Sequence, residues 1–216
     1  MKNKIKFFTI MIIMLLVLSG CTSESNKSVM TAYTSVYPVE YIMDNLYGDN
    51  VAIYSIYPDG TNYKKYKLTD KQLSDYSKGD LYIYNGIIQK EKDYAVSLIN
   101  KNKKIKIIDA SKGMSYTSDA AESWLNPANY LMMASNVKKG LEEYINENIE
   151  KKKIDDNYET LKLNLSLIDA ELKSVANNAN NKTIIVNDDV FNDIRNEEIE
   201  LRALELLSSF LDKYFS

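Results

Sequence analysis

Residues 81–109, LYIYNGIIQKEKDYAVSLINKNKKIKIID, decide the fold class. Leu81 to Tyr84 is a short β-prone run, and Asn85-Gly86 turns the chain out of it. Gln89 to Asn100 reads as a helix, and Ile105 to Asp109 is a second strand. Strand, turn, helix and strand within about 30 residues make the crossover that joins two parallel strands. The same alternation runs upstream. Val29 to Thr34 is a β-prone run, and Pro38 to Leu46 reads as a helix closed by Tyr47-Gly48-Asp49-Asn50. Val51 to Tyr57 (VAIYSIY) is a strand ended by Pro58-Asp59-Gly60, and Thr69 is a candidate N-cap for a helix through Tyr76. The pattern predicts an α/β lobe: a parallel sheet of four strands, Val29–Thr34, Val51–Tyr57, Leu81–Tyr84 and Ile105–Asp109, with flanking helices.

Downstream the period changes. Asn126 is a candidate cap and Pro127 a first-turn proline for a helix to about Ile149. Met133, Val137, Leu141 and Tyr144 share one of its faces. The charged run Glu150 to Asp156 interrupts the pattern. Ile154, Tyr158, Leu161, Leu165, Ile168, Leu172 and Val175 then recur at spacings of four and three, the mark of one long amphipathic helix outside the lobe. Asn177 to Asn181 is a polar break, and Thr183 to Val186 is one more strand. Ile199 to Phe215 reads as a helix with Leu201, Leu204, Leu207, Leu211 and Tyr214 on one face.

The N-terminus reads as a signal peptide. Lys2, Lys4 and Lys6 precede an uncharged run, Phe7 to Leu18, that is shorter than the about 20 residues a bilayer core requires. Leu18-Ser19-Gly20-Cys21 follows and resembles the bacterial lipobox, whose cysteine becomes the lipidated first residue of the mature chain. Cys21 is the only cysteine, so a thiol at the cleavage point has an evident use. Each buried CH₂ of an attached lipid contributes about 0.8 kcal/mol of anchoring. Thr22 to Ser28 is small and polar, a tether between lipid and fold.

Composition narrows the function. Removing residues 1–20 takes three of 27 basic residues and no acid, leaving 24 against 30 and a net charge of −6. An acidic surface argues against a nucleic-acid partner. It also leaves the hold on a membrane to the lipid. With no histidine in the chain, Ser-His-Asp and Cys-His catalysis are excluded, as is every zinc site that needs imidazole. No GxGxxG or P-loop pattern occurs. These exclusions argue against an enzyme. The 17 tyrosines fit half-buried positions with their hydroxyls in water, or alternatively a stacking surface for sugar or peptide.

The order of parts resembles the metal-binding solute-binding lipoproteins of ABC importers, the TroA-like zinc/manganese-uptake family. Three motifs carry the resemblance, which covers Val29 to Phe191. Asp80-Leu81-Tyr82-Ile83-Tyr84-Asn85-Gly86 is similar to the family's strand and turn. Trp124-Leu125-Asn126-Pro127, which holds the only tryptophan, is similar to its WLDP segment. Ile184-Ile185-Val186-Asn187-Asp188-Asp189-Val190-Phe191 is similar to its strand end before a ligand histidine.

The resemblance implies a monomeric substrate-capture subunit, lipid-anchored on the outer face of the cell membrane, that delivers a divalent cation (Zn²⁺ or Mn²⁺) to an ABC permease. The family's ligand positions fall on Lys64, Glu122 and Asp188 in this chain, with Tyr66 two residues beyond Lys64. Its fourth ligand has no counterpart. Three imidazoles therefore stand as an ammonium and two carboxylates. Two carboxylates suit a hard cation, but a lysine beside them repels it and can itself supply the counter-charge. The resemblance thus implies a degenerate metal site with no tight zinc binding. A non-transporting surface lipoprotein, adhesive or scaffolding, is the alternative.

The implied organisation is a signal peptide (1–20), a tether (21–28), an N-terminal α/β lobe (29–125), a helical connection with a long interlobe helix (126–176) and an incomplete C-terminal lobe (177–216). Only 41 residues follow Val175, and one βα unit takes about 30, so a complete second lobe does not fit. Either the second lobe is naturally shortened or the reading frame is disrupted near Ile194.

Overall fold

The computed structural model of the chain describes residues 29–114, 122–180, 183–186 and 200–203. Four strands, β1 (Met30–Thr34), β2 (Val51–Ser55), β3 (Leu81–Tyr84) and β4 (Lys106–Asp109), form one sheet in the order β2-β1-β3-β4. All three pairings are parallel, with Met30 opposite Val51, Ala32 opposite Leu81 and Leu81 opposite Lys106. This is the α/β lobe expected from the alternation. A parallel sheet is covered on both faces, which is why β3 is buried at all four positions and reads as an unbroken apolar run.

Helices α1 (Tyr37–Tyr47), α2 (Asp70–Tyr76) and α3 (Gln89–Lys101) make the crossovers. The start of α2 follows directly from its sequence. The Thr69 hydroxyl accepts from the Gln72 amide at 3.2 Å, and the Thr69 amide donates to the Gln72 side chain at 3.0 Å, a reciprocal cap. One side of α1 buries Val39, Ile42, Met43 and Leu46 completely.

Two helices follow, α4 (Pro127–Tyr144) and α5 (Asn148–Asn178). Asn126 caps α4, its side-chain oxygen accepting from the amides of Ala128 at 2.9 Å and Asn129 at 3.4 Å. The helix stops at Tyr144 rather than near Ile149. Ile145, buried and in extended conformation, breaks it so that α5 can fold back as a helical hairpin. No glycine or proline marks this break. The charged run from Glu150 to Asp156 lies inside the first turns of α5. Only Ile154 of that run points into the core. Lys152 pairs with Asp156 on the outside, and Lys153 pairs with Asp49.

Helix α5 runs unbroken through the predicted stripe but does not lie wholly outside the lobe. Ile154, Leu161 and Leu165 belong to the same core as the sheet, with Tyr158 packed against it. Ile168, Leu172 and Val175 are exposed. The core ends where the neighbouring helices end, so one continuous stripe is half buried.

Strands β5 (Thr183–Val186) and β6 (Glu200–Ala203) pair in parallel as a separate two-stranded sheet. Residues 200–203, expected as part of a helix, are therefore a strand. Apolar residues at 199, 201 and 203 satisfy a period of two as well as a helical one, and pairing with β5 selects the strand. The remainder of the predicted helix, together with the signal peptide, Cys21 and the tether, lies outside the described residues. None of the described helices is long and apolar enough to cross a membrane.

Candidate functional site

In an open parallel sheet, ligands sit beyond the carboxyl ends of the strands, at the point where the strand order reverses. Here the chain passes outward from β1 to β2 and then back across β1 to β3, so the reversal lies between β1 and β3. Ser35 follows β1 and Asn85-Gly86 follows β3 at that point.

A buried carboxyl joins these segments. Glu91, in the first turn of α3, is fully buried. Its carboxyl accepts from the Asn85 amide at 3.0 Å and the Tyr57 hydroxyl at 3.3 Å, and it also bonds the Ser35 side chain. The Asn85 amide is shared with the Ser35 hydroxyl at 3.1 Å. Burial pushes the Glu91 carboxyl up to about 7, against the opposing pull of those hydrogen bonds and of Lys90. The Asn85 side-chain amide oxygen (Oδ1) accepts from the Ser111 hydroxyl at 2.6 Å. Asp109 ends β4 and accepts from the amides of Gly86 at 3.1 Å and Ser111 at 2.9 Å. Burial, and then the neighbouring Asp109, raise the Tyr84 hydroxyl to about 12.

Above this floor stand the loop after β2 and the segment before α4. The loop is closed by the amides of Lys65 and Tyr66, both bonded to the Asn62 carbonyl at 3.0 Å, and by the Lys64 amide on the Asn62 side chain at 3.0 Å. It presents Tyr63 and Lys64. The Lys64 ammonium lies 2.8 Å from a carboxylate oxygen of Glu122, and the Tyr63 hydroxyl donates to that same oxygen. Burial and the Glu122 carboxylate hold the Tyr63 hydroxyl well above its usual range. The Glu122 side chain is 17 % exposed and that of Lys64 56 %, so the carboxylate is the more buried partner and the lysine covers it from the solvent side. The Tyr63 ring meets Trp124 at 6.4 Å between centroids and Tyr57 at 6.3 Å.

Of the three positions singled out in the sequence, the fold brings Lys64 and Glu122 together, and Asp188 lies outside the described residues. Lys64 is paired from the loop after β2, and Glu122 comes from the segment beyond β4. Tyr66 faces away from the pair, its hydroxyl accepting from the Gln72 amide group at 2.8 Å. The sequence reading passed over Tyr63, Lys90 and Glu91. Lys90 and Glu91 sit in the run QKEKD, which reads as solvated helix surface. The one signal for a buried acid there was its place just after the Asn85-Gly86 turn, where α3 begins against the strand ends.

An ammonium stands against the one described carboxylate of these three positions, and among the described residues no group of three or more Asp, Glu, His or Cys is placed to hold a metal.

The tyrosines among the described residues divide by position. Tyr47, Tyr57, Tyr82, Tyr84 and Tyr94 are buried, seven others pack partly buried against the core, and Tyr37, Tyr41 and Tyr54 are exposed.

The comparisons with known proteins agree with this architecture. The chain is 26 % identical over 197 residues to the metal ABC transporter substrate-binding lipoprotein ScbA of Streptococcus cristatus. It is 25 % identical over 200 residues to the manganese ABC transporter substrate-binding lipoprotein scaA of Streptococcus gordonii. Each match covers 82 % of this chain, which spans 62 % of the length of these curated relatives. Among solved structures, the metal-dependent lipoprotein YcdH of Bacillus subtilis superposes with a TM-score of 0.72 at 16 % identity, over 85 % of this chain and 75 % of that one. The zinc-bound ZnuA-like domain of Streptococcus pneumoniae AdcA gives 0.72 at 17 % identity, with the same coverage. At such identities the likeness establishes the fold. The family model described as zinc-uptake complex component A, periplasmic (ZnuA), matches residues 33–198, and the chain belongs to that family of substrate-binding proteins.

Proposed function

We propose that this chain is the substrate-binding lipoprotein of a metal-ion ABC import system, held at the outer face of the membrane by lipid on Cys21, with a cation site that its own Lys64 occupies. The family and the names of its curated relatives support the transport role and the permease partner. The observation that carries the reading of the site is the 2.8 Å contact between the Lys64 ammonium and the Glu122 carboxylate. An ammonium neutralises a carboxylate where a divalent cation otherwise would, and it repels any cation that approaches. Asp188 is assigned as the second carboxylate of the same site. The chain acts as a monomer.

Calorimetry of the mature protein with Zn²⁺ and Mn²⁺ tests this. No tight zinc binding and only weak Mn²⁺ binding are the expected results, because carboxylates leave most of a coordination sphere to water. The variant carrying Lys64→His, Glu122→His and Asp188→His should bind zinc measurably. Submicromolar zinc binding by the unmodified protein would overturn the account.

The same ion pair favours a second reading, a surface lipoprotein that keeps the fold without transport and serves adhesion or scaffolding. A triple-histidine variant that gains no zinc affinity supports this reading, since the site geometry is then lost as well as the ligands.

A further inference from the structure

The loop that carries Tyr63 and Lys64 closes on itself through the Thr61, Lys64, Lys65 and Tyr66 amides, and those bonds leave its position over the sheet open. Its ends are tied down separately. The Leu68 amide donates to the Tyr94 hydroxyl at 3.0 Å, and the Tyr66 hydroxyl meets Gln72. Between them, one side chain grips the loop by its backbone. The Lys90 ammonium, in the first turn of α3, donates to the Tyr66 carbonyl at 2.8 Å and also to the Tyr63 carbonyl. It stands 5.4 Å from the centre of the Tyr57 ring, whose hydroxyl is bonded to Glu91. The ammonium is thus directed by a cation–π face below and two carbonyls above. Burial lowers its pKa, and the neighbouring Glu91 opposes that shift.

We propose that Lys90 is the positioning residue of the cleft: its ammonium clamps the Tyr63 and Tyr66 carbonyls and so fixes where the loop presents Tyr63 and Lys64 to Glu122. The carbonyls of a tight turn point outward from it, and a charged donor that takes two at once sets both the height and the tilt of the loop. Lys64 and Tyr63 reach the same oxygen of Glu122, a convergence that tolerates little displacement. A strut from α3 ties this convergence to the rigid end of β3. The inference rests on the Lys64–Glu122 cleft being the site, but it needs no metal for its test. Zinc calorimetry and the measurement below can each fail alone.

Trp124, the only tryptophan of the chain, packs on Tyr63 and reports the closure of the loop. In the full chain, Lys90→Met keeps the apolar stem and removes every donor. It should raise the acrylamide quenching of Trp124 by about twofold, as a loop loosens without global unfolding. Lys90→Arg restores two donors and should return quenching toward that of the unmodified protein. Lys138→Met, which removes the ion pairs to Asp155 and Glu142 on the helical hairpin, should leave Trp124 unchanged. If Lys90→Met does not fold, Lys90→Gln, shorter and uncharged, serves in its place and should raise quenching by a smaller factor. Unchanged quenching in the folded Lys90 variants would overturn the proposal, as would an equal rise with Lys138→Met or no recovery with Lys90→Arg.

Discussion

Gly86 approaches Asp109 so closely that a β-carbon added to it would stand 2.1 Å from a carboxylate oxygen. The contact is a working one, because the Gly86 amide donates to that carboxylate at 3.1 Å and so links the end of β3 to the end of β4. A side chain at residue 86 drives the two strand ends apart. Gly86→Ala should therefore cost about 1–3 kcal/mol in urea unfolding, the usual range for overpacking a tight site. Combining it with Asp109→Ala should cost less than the sum of the two single changes, since the clash is gone. Strict additivity would show that the close approach is not what makes glycine necessary.

Glu91 makes stability depend on pH. Its folded-state pKa, near 7, lies above the unfolded value near 4.5, so the folded protein binds the proton more tightly. The contribution is fully present below about pH 4.5 and is lost as pH rises through about 7. It amounts to about 3 kcal/mol across that window. Urea unfolding at pH 5 and pH 8 should show the protein less stable at pH 8, and Glu91→Gln should remove most of the difference. Equal stability of the unmodified protein at the two pH values, or an unchanged difference in the variant, would show that the buried carboxyl is ionised at both.

The proposed lipid anchor on Cys21 has a direct test. Cys21→Ser should release the mature chain from the membrane fraction and abolish lipid labelling. The proposed acyl chains would contribute about 0.8 kcal/mol of anchoring per buried CH₂, a hold that the variant removes. A variant that still sediments with membranes would sink the lipoprotein assignment.

The local sequence by itself determined the elements of the lobe. Alternating apolar runs and helical periods located all four strands to within two residues, and Thr69 and Asn126 marked helix starts that the structure places at Asp70 and Pro127. These features depend on neighbours along the chain: a cap bonds an amide two or three residues away, and a buried parallel strand must be apolar throughout. The pairing of Lys64 with Glu122, far apart along the chain, was not a local reading: the family resemblance carried by the motifs around Gly86 and Trp124 implied it.

Tertiary structure decided what no local pattern encodes. Nothing between Tyr144 and Asn148 reads as a break, yet the helix ends there because Ile145 is drawn into the core by residues far along the chain. The stripe on α5 is uniform in sequence but buried only up to Leu165, because burial is set by which helices stand opposite. Residues 200–203 became a strand because β5 offered a partner, a contact that propensity over so few residues does not outweigh. Lys90 and Glu91 read as solvated surface and are instead the strut and the floor of the cleft. A charged residue's role depends on what the fold places around it, and here three loops from three strand ends converge on the start of α3.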